Sequence, residues 1–282
     1  MFPAYAKINL GLLVLNKRPD GYHNIMTVFH RINLFDQIGL APSEEIAVVS
    51  TSPEAPSDES NICHEAARLL RERLKIRKGV AITIEKNIPV GAGLGGGSSD
   101  AAAVLRNLPA FWQQSVDASL LHELALQLGS DVPYFLGRGS AVARGRGEIL
   151  EYFPLDLPFT ILLCNPNIHV GTAWAYGQLH PRPGRNDVSL RDFLRKGIEE
   201  PRFMNETLVN DFEPAVFHAF PDIRRLKEDM LTAGAVYASM SGSGSSVYGL
   251  FNDGAAAEKL ELLLRARGYR TCITPPHFLP EE

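Results

Sequence analysis

The fold this sequence predicts is a mixed helix-and-strand chain built around a strand, a glycine turn and a helix in succession. Three observations carry that expectation. Residues 80–85 alternate, with Val80, Ile82 and Ile84 on one face, the pattern of a half-buried strand. Residues 100–108 are rich in Ala and Leu, which favour helix. Between them stand Gly91, Gly93, Gly95, Gly96 and Gly97. The chain of 282 residues has room for one large or two modest domains.

The stretch Pro89, Val90, Gly91, Ala92, Gly93, Leu94, Gly95, Gly96, Gly97, Ser98, Ser99 organises the reading. Glycine tolerates positive φ and lets a ligand touch bare backbone. Ser98 or Ser99 is expected to cap the helix that follows. A helix start offers unpaired N–H groups and a partial positive charge, so the turn suits a phosphate. Other meanings of the run fit less well. A Walker loop needs Lys where Gly97 stands. Gly91, Gly93 and Gly96 fit a dinucleotide fingerprint. That motif wants an acid about 20 residues on, at a strand end, and the chain there reads Phe111, Trp112, Gln113, Gln114. A plain glycine-rich turn needs fewer glycines and no paired serines.

From the N-terminus, residues 4–15 read as a strand. Ala4, Ala6, Ile8, Leu10, Leu12 and Val14 lie on one face, and Tyr5, Lys7, Asn9 and Gly11 on the other. The polar face fits a solvated surface or a cleft wall equally well. Residues 16–21 form a turn punctuated by Pro19, Asp20 and Gly21. Tyr22 and His23 follow it, fit either for the surface or for stacking on and hydrogen-bonding a planar base. A returning strand covers 25–34. After the polar loop 51–60, Asn61 is expected to cap a helix running to about residue 75.

Residues 119–128 form an amphipathic helix ended by Gly129. Pro133 biases Val132 toward extended backbone. Asp131 reads as a cap for a short helix or as a general base on a sharp corner. Residues 144–148 form a hairpin-like turn with solvated charges. A boundary near Phe153 divides the chain into residues 1–153 and 154–282. Residues 159–164 make a continuous buried strand. Residues 165–173 are irregular and carry Thr172, and Tyr176 lies in the next segment. Residues 180–186 form a loop, and helices cover 190–198 and 222–233. Residues 239–246 make a second glycine-serine turn, flexible or an anion nest, feeding a strand at 247–251. A helix over 255–267 closes at Gly268, a last strand covers 269–274, and the tail from Pro275 is expected to be loosely held.

Net charge is −4, from 28 basic and 32 acidic residues, so no basic excess points to nucleic acid or an anionic membrane. Cys63, Cys164 and Cys272 are far apart and odd in number, which predicts reduced thiols serving as core filler. The apolar run 8–15 is broken by Asn9 and lacks a cleavage site, so no signal peptide is expected. No run has the length of a membrane span. The expectation is a soluble, cytoplasmic protein.

Three stretches in this order are more specific than any one alone: residues 4–10 around Lys7, residues 89–99, and Ser241, Gly242, Ser243, Gly244, Ser245, Ser246. Together they resemble the three motifs of the GHMP small-molecule kinases. Lys7 and Asn9, the turn Asp20 to His23, the triple Gly95 to Gly97, and Ser130 to Pro133 resemble the branch whose acceptor is a cytidine-diphosphate-linked methylerythritol. A homoserine or mevalonate kinase type is the alternative. The resemblance implies an α+β fold of two domains, ribosomal S5-like and then ferredoxin-like, with the active site in the cleft. It implies ATP, arriving with Mg²⁺, as phosphoryl donor to the acceptor's C2 hydroxyl in non-mevalonate isoprenoid synthesis. Asp131 would be the catalytic base and Lys7 its partner. Asn9 would orient the acceptor, with Tyr22, His23, Thr172, Tyr176 and Gly242 around the cytidyl substrate. Asn61 and Lys86 would lie near adenine and ribose, and residues 89–99 along the triphosphate. No metal ligand is assigned.

Overall fold

The computed structural model describes residues 1–179, 185 and 188–281. The loop expected at 180–186 lies, except for Arg185, outside the described residues. Two β-sheets and their covering helices make up the fold. The six-stranded sheet contains β1 (Phe2–Lys17), β2 (His23–Ala41), β3 (Ile46–Ser50), β4 (Val80–Glu85), β5 (Ser140–Gly145) and β6 (Ile149–Phe153). Strand β2 pairs with β1 along most of its length. It also pairs with β5 at residues 25–29 and with β4 at residues 37–41. Only β3 and β4 run parallel in this sheet. The helices between these strands are α1 (Ile62–Leu74), α2 (Gly96–Phe111), α3 (Ala118–Leu128) and α4 (Val132–Leu136).

The four-stranded sheet is antiparallel, in the order β10 (Arg270–Thr274), β7 (Thr160–Asn165), β9 (Val247–Phe251), β8 (Tyr237–Met240). Its helices are α5 (Thr172–Gly177), α6 (Leu190–Glu199), α7 (Pro201–Thr207), α8 (Glu213–Ala219), α9 (Pro221–Thr232) and α10 (Gly254–Ala266).

Three clusters of buried side chains explain the layering. One lies between the six-stranded sheet and its helices, joining Phe29, Ile38 and Ile82 to Leu70, Leu105 and Leu124. The second lies between the sheets, where Ile8, Leu10, Met26 and Val28 meet Ile161, Leu163 and Tyr248. The third joins Leu162, Cys164 and Phe251 to Ile223, Leu226 and Leu264. Strand β7 is therefore buried on both faces, which is why its sequence is continuously apolar. Burying one such Leu or Ile side chain stabilises the fold by about 1.5–3 kcal/mol.

Several expectations need correction. The simple alternation of β1 fails because the pairing slips at Tyr5/Lys7, at Leu10/Leu12 and again at Val14/Asn16. Gly11 sits in the second slip with φ 74°, and a bulge turns the side chains after it to the opposite face. Leu13, not Leu12, thus joins Ile8 and Leu10 in the core between the sheets. The polar face is not a solvated surface, since Tyr5, Lys7 and Asn9 are all buried. Val132 is helical rather than extended, because Pro133 falls in the first turn, where a missing N–H costs nothing. The charges at 144–148 are not fully solvated: the Arg146 guanidinium lies 4.8 Å from the Tyr22 ring centre, and Glu148 is only partly exposed. The tail is held. His277 donates its N–H to Leu157 O at 2.9 Å, Phe278 packs on Tyr5, and Glu281 N donates to Tyr5 OH at 3.2 Å. Strand β3 and helices α7 and α8 were not foreseen, being short and without long periodicity.

Candidate active site

The glycine turn leaves β4 and enters α2. Gly91, Gly93 and Gly95 have φ of 66°, 79° and 69°. Helix α2 is capped by Gly95 rather than by a serine. Ser98 and Ser99 fall inside the first turn, because the left-handed Gly95 redirects the chain three residues earlier than the sequence indicated. No side chain caps this end, so its leading N–H groups remain for an anion. The turn borders a cavity of about 420 Å³. Pro89, Val90, Gly91, Ala92, Gly93, Leu94, Gly95, Gly96, Gly97 and Ser98 all line it, as do Asn61 and Lys86; Ser99 is buried behind it.

Asn61 does act as the cap of α1. Its Oδ1 accepts from Cys63 N at 2.8 Å, and its Nδ2 donates to Pro56 O at 2.6 Å. Lys86 is spent inward, between Asp36 and Asp100, with its Nζ 2.7 Å from Asp100 Oδ2. Asp36 Oδ1 also accepts from Asn87 N and Ile88 N, which fixes the chain entering the turn. Burial pushes the Asp100 carboxyl up to about 7; Lys86 opposes this, and the neighbouring Asp36 adds to it. Burial would lower the Lys86 ammonium, yet Asp100 and Asp36 hold it above its ordinary value.

The second glycine turn, between β8 and β9, is buried throughout, so it is not a flexible loop. It meets the first turn backbone to backbone. Ser241 Oγ donates to Gly93 O at 2.9 Å, and Ser246 N donates to Ala92 O at 3.4 Å. A β-carbon on Gly93 would stand 2.1 Å from Ser241 O, and one on Gly242 would stand 3.1 Å from Gly93 Cα. Asn210 Nδ2 donates to Met240 O and Gly242 O, pinning the second turn in place.

Beyond that contact lies a smaller cavity of about 200 Å³. Lys7, Asn9, Asp131, Thr172, Tyr176, Gly242 and Ser243 line it. Lys7 Nζ donates to Asn9 Oδ1 at 2.7 Å and to Gly93 O at 3.2 Å, and lies 3.6 Å from Asp131 Oδ2. Burial lowers the Lys7 ammonium, and the Asp131 carboxylate works against that shift. Asp131 sits at the N-cap of α4 but makes no capping hydrogen bond, so its side chain faces Lys7. Asn9 Nδ2 donates to Thr27 Oγ1 at 2.9 Å, which fixes the orientation of the amide.

Thr172 Oγ1 lies 3.2 Å from Ser243 Oγ. Tyr176 stands edge-on to Phe212 and stacks on His23 with ring centres 5.1 Å apart. Burial, then Asp131, pushes the Tyr176 hydroxyl up to about 12. Tyr22 and His23 do not line the small cavity; they flank it, Tyr22 under Arg146 and His23 against Tyr176. Sequence reasoning missed Arg146, Phe29 and Phe212, which do line it. Arg146 had one local signal, its position between Gly145 and Gly147 in a tight turn.

A third cavity, of about 860 Å³, lies away from both turns, beside the C-terminal tail. Much of its polar lining is engaged internally. His30 Nδ1 pairs with Ser140 Oγ, Arg31 Nη2 donates to Phe135 O and Gly137 O, and Tyr152 OH donates to Tyr134 O.

Known proteins resemble this chain over nearly its whole length. The family described as GHMP kinases N terminal domain matches residues 61–139, and GHMP kinases C terminal matches residues 194–270. The 4-diphosphocytidyl-2-C-methyl-D-erythritol kinase of Chlorobium limicola is 45% identical over 98% of this chain and 96% of its own. Its counterpart from Chlorobium phaeobacteroides strain BS1 is 46% identical over 98% and 96%. A crystal structure of a 4-(cytidine 5'-diphospho)-2C-methyl-D-erythritol kinase superposes with a TM-score of 0.82 at 36% identity, covering 97% of each chain. A homoserine kinase from Cytophaga hutchinsonii gives 0.68 at 20% identity, a likeness of fold. The chain belongs to the GHMP kinases and, within them, to the 4-diphosphocytidyl-2-C-methyl-D-erythritol kinase family.

Proposed function

From that membership we propose that the protein transfers the γ-phosphoryl group of ATP to the C2 hydroxyl of 4-diphosphocytidyl-2-C-methyl-D-erythritol, in non-mevalonate isoprenoid precursor synthesis. The observation that carries the reading is the Lys7–Asp131 couple, 3.6 Å apart, facing a cavity that adjoins an uncapped helix start.

In this reading the triphosphate lies along the amides of residues 91–99, and the adenosine occupies the cavity bounded by Asn61 and Lys86. Asp131 takes the proton from the acceptor hydroxyl. The freed oxygen bonds to the γ-phosphorus as the bond to the ADP oxygen breaks. Such a base contributes about 10²–10⁴-fold in rate. The Lys7 ammonium, with Asn9 and Gly93 O accepting two of its donors, stands beside Asp131 and offsets charge developing on the oxygen. Asn9 orients the acceptor, Thr172 and Gly242 border it, and the aromatic set Tyr22, His23 and Tyr176 serves the cytosine. Alignment and charge stabilisation account for most of the rest in phosphoryl transfer.

Mg²⁺ enters as part of the ATP complex. Of the acids beside the turn, Asp36 is buried on Lys86, while Asp100 gives Oδ2 to Lys86 and lines the nucleotide cavity with its Oδ1 unpartnered. Among the described residues no three His, Cys, Asp or Glu cluster to hold a metal. Phosphate oxygens and water would supply most of its coordination. The reading also includes a division into residues 1–153 and 154–282, supported by the break between β6 and β7, where one sheet ends and the other begins. It takes small molecules as partners, with neither nucleic acid nor membrane, and a cytoplasmic setting. A net charge of −4 leaves no basic excess to attract nucleic acid or an anionic surface. Assaying ADP release with the cytidyl acceptor, homoserine and mevalonate in parallel tests the reading. Turnover with the cytidyl acceptor alone is expected; turnover confined to either of the others overturns it.

A further inference from the structure

The small cavity is lined by two cations, Lys7 and Arg146. Lys7 is committed, with its three donor directions facing Asn9, Gly93 O and Asp131. Arg146 is not. Its one ion pair among the described residues joins Nε to Glu148 Oε1 at 4.0 Å, the outer limit of such a contact. Glu148 is instead engaged with the Arg146 backbone, accepting from its N–H at 2.5 Å. The side chain keeps about 29% of its surface in solvent.

The turn that carries Arg146 is registered against the reacting couple. A β-carbon on Gly147 would stand 3.2 Å from Asp131 Oδ1 and 3.7 Å from the Phe29 ring. Arg146 itself lies 4.8 Å from the ring centre of Tyr22. Arg146 thus lies over an exposed aromatic ring and lines the same cavity as the Lys7–Asp131 couple. An acceptor with a base at one end and a reacting alcohol at the other carries its two phosphates between them.

We propose that Arg146 binds the diphosphate of the acceptor and so selects a nucleoside-diphosphate-linked alcohol over an uncharged one. The proposal rests on the function proposed above. A guanidinium fork matches phosphate oxygens in pairs, and the partial exposure keeps its contribution at the low end for charged hydrogen bonds, roughly tenfold in affinity.

The test compares wild type, Arg146→Gln and Arg146→Lys by calorimetry, with the ATP site filled by a non-hydrolysable ATP analogue. Binding of cytidine 5'-diphosphate and of cytidine is measured for each. Arg146→Gln is expected to weaken the diphosphate roughly tenfold and cytidine less than about twofold, with Lys restoring part of the loss. In turnover, KM for the acceptor rises while kcat and KM for ATP stay near wild type. Equal weakening of both ligands assigns Arg146 to holding Tyr22 and overturns the proposal, as does unchanged diphosphate binding. Wild-type protein that fails to phosphorylate the cytidyl acceptor defeats the functional reading instead, whatever the calorimetry gives.

Discussion

The nucleotide side and the acceptor side of this cleft are built from different materials. The first centres on one contiguous stretch, residues 89–98, whose contribution is backbone, with Asn61 and Lys86 at its margin. The second draws side chains from β1 (Lys7, Asn9), the start of α4 (Asp131), the β5–β6 turn (Arg146) and α5 (Thr172, Tyr176). A site made of backbone should tolerate loss of side chains and resist gain of one. A site made of side chains should do the reverse.

The largest expected effect falls on the acceptor side. Asp131→Asn should lose about 10²–10⁴ in kcat, because the amide accepts no proton at neutral pH. Binding of ATP, measured by calorimetry, should be nearly unchanged. A variant that keeps full turnover would remove Asp131 as the base and leave the contrast without its chemical half. Beneath the nucleotide turn, Lys86→Met leaves Asp36 and Asp100 buried without their cation. Breaking such a buried pair costs about 3–5 kcal/mol, read as a fall in the denaturant midpoint at pH 8. Burial already pushes Asp100 up to about 7, so the loss should shrink as the pH falls and Asp100 binds a proton. A pH-independent loss would contradict that account.

The last and smaller effects test the backbone itself. Gly93→Ala forces a β-carbon at φ 79° to within 2.1 Å of Ser241 O. Strain in the dihedral alone is roughly 1–3 kcal/mol, and the two turns must also part. The ATP KM should rise, with the cytidyl acceptor affected less. Val90→Ala in the same stretch removes an exposed side chain and should change ATP binding by less than about twofold, or 0.5 kcal/mol. If Val90→Ala proved as harmful as Gly93→Ala, the nucleotide side would depend on side chains after all.

The same contrast governs what could be read before the structure. Val80, Ile82, Ile84 and the glycines after them announced a strand and a phosphate turn, because each signal is local and periodic. Lys7 and Asn9 were visible as a polar strand face, but nothing in β1 said whether that face met water or a cleft. Asp131 by itself read more readily as a cap than as a base, since an acid at a loop-to-helix boundary is common, and only the family resemblance made it the base. Arg146 gave almost no signal, because its function depends on which ring and which carboxylate the turn comes to face. The slip at Gly11 defeated the alternation of β1, as a single extra residue exchanges the faces without changing the composition.

By itself, then, the order of residues determined where the chain extends, coils and turns, and which stretch presents bare amides. Those features arise from dihedral preference and burial within a few neighbours. Only the packing of two sheets decided that Gly93 and Gly242 touch, that Lys7 stands 3.6 Å from Asp131, and that Lys86 is consumed by two acids. Those contacts join residues up to 149 positions apart, as Gly93 and Gly242 are, and a pairing at such range is set by the geometry of the folded layers rather than by local chain preference.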